Sequence, residues 1–96
     1  MKIVNKAESR ERCAEAGWYA WDYFLDRPMD DGFILSLRPL GGFVYLTALS
    51  RPFFKIESPY RLIKGLRGDS FFRVAVHGEH PEALAEVDET IAGTRT

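Results

Sequence analysis

The chain has 96 residues, with 13 Lys and Arg against 14 Asp and Glu, and so carries a net charge of -1 at pH 7. With 46% apolar and 28% charged residues it has the composition of an ordinary globular domain, which excludes a disordered or collagen-like chain. At this length, surface scaling puts roughly 65% of the unfolded chain's area out of water on folding, enough for one modest core and not for two.

The expected organisation is therefore a single domain over residues 1–96, with 92–96 a flexible tail. No apolar run approaches the roughly 18 residues of a membrane span, and residues 1–20 carry acids where a signal peptide needs an unbroken apolar stretch. One cysteine, Cys13, cannot form an internal disulfide, which fits a reducing compartment. A cytoplasmic protein with no membrane association is the expectation.

In chain order, Lys2, Ile3 and Val4 favour a short first strand, although its place in a sheet is open. Asn5 and Glu8 have the spacing of a capping box, predicting a helix over residues 7–25 with Ala14, Trp18, Trp21 and Leu25 on its buried stripe. Pro28, Asp30, Asp31 and Gly32 end it. Residues 33–38 and 43–50 predict a hairpin about Gly41 and Gly42. Residues 53–57 follow Pro52 as a candidate edge strand, because proline can start a strand but cannot sit centrally in one. Ser58 and Pro59 suggest the start of a short helix over 60–64, closed by Gly65. Residues 70–77 alternate, with Phe72, Val74 and Val76 on one side and Phe71, Arg73 and Ala75 on the other, predicting a strand. After Pro81, Leu84, Val87 and Ile91 fall at helical spacing with Glu82, Glu86 and Glu89 opposite.

The predicted class is α+β: one two-layer domain with an antiparallel sheet of three to four strands and helices packed on it. The order β, α, β, β, α, β resembles the ferredoxin-like arrangement with an extra C-terminal helix. Which face of that sheet the first helix covers stays open, and the layout carries no function of its own.

Charge is uneven along the chain. Residues 1–35 sum to -2, residues 36–76 to +5 and residues 77–96 to -4. The middle block interleaves basic groups with aromatics, the pattern that single strands or phosphorylated ligands require. Within the basic stretch 51–73, the candidate anion-binding residues are Arg61, Lys64, Arg67 and Arg73. A sequence pI of about 6.1 argues against a dedicated nucleic-acid binder.

His77, Glu79 and His80 are the only clustered metal-type ligands, and a small metal-dependent enzyme built on them is a third reading. Neighbouring arginines give Cys13 some nucleophilic character, but a small buried side chain is the simpler role. Asp30 and Asp31 beside Gly32 suit a turn, and no glycine pattern makes a phosphate loop. No motif calls for a cofactor.

Tyr19 and Tyr23 fall on a second flank of the predicted helix, and Phe43 and Tyr45 on an apolar strand. These four are the candidate interface residues, because amphipathic rings suit protein contacts. The leading expectation is a non-catalytic interaction module that forms a homodimer, and a different protein or an anionic partner is the alternative.

Overall fold

The structure, a computed structural model, describes residues 2–8, 17–48 and 50–93. Among these are six strands and two helices: β1 (Ile3–Glu8), β2 (Trp18–Leu25), α1 (Asp31–Ser36), a 3-10 turn (Arg38–Leu40), β3 (Gly42–Leu46), β4 (Phe53–Ser58), β5 (Arg61–Leu66), β6 (Phe71–His77) and α2 (Glu82–Gly93). The strands form one antiparallel sheet in the order β1-β2-β6-β5-β4-β3. From β2 the chain passes through α1 and the 3-10 turn to the far edge, then meanders back through β3, β4 and β5 until β6 pairs with β2.

This overturns the three- to four-stranded, ferredoxin-like expectation. In place of a helix over 7–25, β1 runs to Glu8 and β2 occupies Trp18–Leu25. Trp18, Trp21 and Leu25 satisfy a helical spacing, but the same segment is dense in aromatics that pack well on a pleated surface. Its alternation buries Tyr23 and Leu25 among the core residues and turns Asp22 and Phe24 the other way. Cys13, Ala14 and the charged residues expected around them lie outside the described residues.

Residues 33–38 are not a strand, because Asp30 caps a helix there: its side chain accepts the Phe33 N–H at 2.8 Å, and Asp31 suits the first turn. The expected hairpin is therefore absent, and β3 instead pairs with β4. β4 lies inside the sheet, with Pro52 just before it, and is not an edge. Nor do residues 60–64 form a helix. Pro59 and Tyr60 make a turn between β4 and β5, and Ser58 Oγ donates to the Arg61 carbonyl across its mouth at 3.3 Å. β6 and α2 lie where the sequence places them, and α2 takes in Ala92 and Gly93 from the expected tail, whose last three residues lie outside the described residues.

Both helices pack on one face of the sheet. Tyr23, Phe54, Ile56, Ile63, Phe72 and Val74 project from the strands against Met29, Phe33, Ile34 and Leu37 of the crossover and Ala83, Val87 and Ile91 of α2. Arg61 is buried on this same face, donating to the carbonyls of Ala83, at 2.8 Å, and Leu40, with Glu86 at 3.3 Å. It ties β5 to both the 3-10 turn and the start of α2. Among the described residues no helix is long and apolar enough to cross a membrane.

Candidate functional site

Neither helix packs on the other face of the sheet. Strand parity assigns its residues: those of β2, β4, β5 and β6 that alternate with the core set. The registers then arrange them in rows running across the strands. One row is Asp22, Arg73, Lys64, Lys55 and Val44, each the cross-strand partner of the next from β2 to β3. Beside it runs an apolar row, with Phe24 opposite Phe71 on β2 and β6 and with Leu66, Phe53 and Leu46 on β5, β4 and β3. The Phe24 and Phe71 rings lie 6.0 Å apart, and Phe24 is 36% exposed. On the far side of the basic row, Ala20 faces Ala75 and Leu62 faces Glu57, followed by Trp18 opposite His77.

Arg73 Nε donates to Asp22 Oδ1 at 2.8 Å, and Lys55 Nζ lies 2.5 Å from Glu57 Oε1. Lys64 has no ion-pair partner among the described residues. Three cations thus stand side by side on adjacent strands, next to three phenylalanines.

The four predicted anion-binding residues do not converge. Lys64 and Arg73 are neighbours on the face away from the helices, whereas Arg61 is a buried structural group on the helix side. Arg67 lies in the turn after β5, where its Nη1 donates to the Asp31 carboxylate at 3.2 and 3.3 Å. Tyr45 donates its hydroxyl to Asp31 as well, at 2.5 Å. The Tyr45 hydroxyl first, and then Arg67, hold the Asp31 carboxyl below its ordinary range.

Nor do the four predicted interface residues form one patch. Tyr19 is 55% exposed, but Tyr23 is fully buried in the core and not on an open flank. Burial, reinforced by the charge of Asp88, pushes its hydroxyl well above the ordinary range. Phe43 and Tyr45 are half-buried on the helix side of β3, against the core.

His77 and His80 do come together, with ring centroids 5.7 Å apart, but as part of an aromatic corner. Tyr60 stacks on His80 at 3.5 Å, and Trp18 meets His77 edge-on at 5.8 Å. His77 Nδ1 accepts the Glu79 N–H, His80 Nδ1 is 2.8 Å from Glu82, and the Glu79 side chain is exposed. Among the described residues no three metal-type side chains gather as ligands, so the expected His77, Glu79 and His80 set is not assembled.

The basic row was partly visible in sequence: Lys55, Lys64 and Arg73 each occupy the same parity as an apolar neighbour two positions away. Reading residues 60–64 as a helix hid the register that aligns them. The chain matches no family model, no curated protein and no solved structure.

Proposed function

We propose that this chain is a non-catalytic interaction module that self-associates, with β3 of one copy pairing antiparallel to β3 of a second. The contrast between the two sheet edges carries this reading. β1 has the devices that natural proteins use to prevent edge pairing: Lys2 before it, Lys6 and Glu8 within it, and a register irregularity between Ile3 and Asn5. β3 has none of them. Gly42–Leu46 contains no charge and no proline, its ladder with β4 is unbroken, and Val44 and Leu46 are 44% and 47% exposed.

A two-fold axis through Val44 uses all five residues of the strand. It sets Val44 against Val44 on the open side and Phe43 of one copy against Tyr45 of the other on the helix side, pairs of the kind that stabilise sheets. This retains Phe43 and Tyr45 as interface residues and replaces Tyr19 and Tyr23.

The test is the solution mass of untagged protein by light scattering, at low and high salt, over roughly 1 µM to 1 mM, where association free energies of about -8 to -4 kcal/mol are measurable. A dimer at both salts is expected, because no charge enters the contact. Val44→Lys places two cations on the axis and should give a folded monomer by circular dichroism, while Val4→Lys on the other edge should remain dimeric. A wild-type monomer throughout this range would overturn the reading.

A further inference from the structure

We infer that Asp31 is a positioning residue for self-association: it holds the Tyr45 hydroxyl, so that the Tyr45 ring is already fixed where Phe43 of a second copy meets it. This rests on the β3 pairing proposed above and adds to it a group that lies outside β3.

The strand alone does not fix this ring. β3 is the last strand of the sheet, so Tyr45 has Phe54 of β4 as its partner on one side and an unpaired edge on the other. A side chain with one flank open keeps rotamer freedom, and losing that freedom on association costs affinity. Two contacts restrain the ring among the described residues. Phe43, two residues back on the same side of β3, meets it edge-on with centroids 6.0 Å apart, and the Tyr45 hydroxyl donates to Asp31 Oδ1 at 2.5 Å. Asp31 is held in turn by Arg67 Nη1, at 3.2 and 3.3 Å from its two oxygens. The start of α1 and the turn after β5 thus converge on the one tyrosine of the edge.

Fold stability gains little from this arrangement. The Asp31 and Arg67 side chains are 57% and 44% exposed, and ion pairs of that kind are worth little. Association gains more, because symmetry doubles the effect. About the two-fold through Val44 each Tyr45 lies opposite the other copy's Phe43, so one dimer contains two pinned rings and every substitution acts twice. Fixing both rings in advance removes an immobilisation cost that amounts to roughly tenfold in the dissociation constant.

The edge is also beyond the reach of the undescribed residues 9–16. They join β1 to β2, and β3 lies four strands past β2, about 19 Å away at about 4.8 Å per strand. A connection of that length, leaving one strand and returning to its neighbour, extends at most about 15 Å.

The experiment measures the dimer dissociation constant by sedimentation equilibrium for the wild type, Tyr45→Phe, Asp31→Ala and the double substitution, with circular dichroism to show that each is folded. Tyr45→Phe decides by sign. Phenylalanine is the more apolar ring, so a tyrosine that contributed by burial alone would leave the dimer as tight or tighter, whereas loss of a pin weakens it about tenfold. Asp31→Ala should weaken it to the same extent, and the double substitution no further than either single one, because both break the same bond. NMR gives a second readout in the monomeric Val44→Lys protein: three-bond couplings about the Tyr45 Cα–Cβ bond should report one rotamer, and several once Asp31→Ala is added. A dimer left unchanged or tightened by Tyr45→Phe would overturn the inference and leave the β3 pairing standing, as would couplings already averaged before Asp31 is replaced. A wild type that stays monomeric from roughly 1 µM to 1 mM would remove both.

Discussion

Lys64 and Arg73 stand directly opposite each other on β5 and β6, two cations on the same side of the sheet, and Lys55 occupies the corresponding place on β4. Like charges directly opposite are destabilising, whereas opposite charges there contribute roughly 0.2–1 kcal/mol. Lys64→Glu converts two repulsive neighbours into attractive ones. It should raise stability by about 0.5–1 kcal/mol, a gain of about 4 °C in Tm for a domain of this size. Calorimetry in low salt checks this, and the gain should shrink as added salt shortens the screening length. An unchanged or lower Tm would mean that the row costs the fold nothing.

Arg61 should act on stability. Its guanidinium supplies hydrogen bonds to the Ala83 and Leu40 carbonyls inside the core, from a residue only 5% exposed. Arg61→Met preserves much of the volume but leaves two carbonyls without their donor, at a cost of about 3 kcal/mol. Arg61→Lys should recover little, because one ammonium does not reproduce a planar fork reaching two elements. Denaturant unfolding gives the magnitude, and hydrogen exchange should show protection lost first in the opening turn of α2.

Some of this architecture is written plainly in the residues. In β6 the apolar Phe72, Val74 and Val76 alternate with flanking residues of mixed character, and in α2 Val87 and Ile91 recur only at helical spacing, so each segment satisfies a single period. The segment Trp18–Leu25 satisfies two, and only its cross-strand partners decide between them. At Asp30 and Ser58 the same polar chemistry favours either a cap or a turn. Asp30 accepts the Phe33 N–H and opens a helix, whereas Ser58 closes a turn ahead of β5. The basic row depended on those decisions. Lys64 and Arg73 stand out as cations in the sequence, but their adjacency exists only once residues 61–66 are a strand, and that same strand sends Arg61 to the core.

Asp31 links α1 to β3 and to the turn after β5, through the hydroxyl of Tyr45 and the guanidinium of Arg67. Both favour the ionised carboxylate, so its folded pKa lies below the unfolded value. The stabilisation is therefore fully present above the unfolded carboxylate pKa and is lost as pH falls through the folded one. A carboxyl-detected NMR titration should place Asp31 below an ordinary aspartate. Tyr45→Phe and Arg67→Gln should each raise it. Asp31→Asn should remove this part of the acid dependence of unfolding, and an Asp31 titrating in the ordinary range would show the contacts to be absent in solution.

Gly65 is the partner of Phe54 across the β4–β5 ladder, and the Phe54 ring lies over its backbone. A Cβ at this position would meet Phe54 Cε1 at 2.7 Å, Phe54 Cζ at 2.8 Å and Phe72 Cβ at 3.1 Å. Both rings are fully buried in the core, so neither can swing into solvent to make room. Gly65→Ala should therefore destabilise the protein by about 1–3 kcal/mol through overpacking, although alanine ordinarily favours folding over glycine where the backbone permits it. Gly42→Ala is the control: it also lies in a strand, but its Cβ would approach nothing closer than 3.5 Å. The double substitution Gly65→Ala with Phe54→Leu separates a steric cause from a backbone one. If the ring is the obstacle, shortening it relieves the strain and the two costs fall short of additivity; additive costs would place the penalty in the strand itself and leave the Phe54 contact without energetic weight.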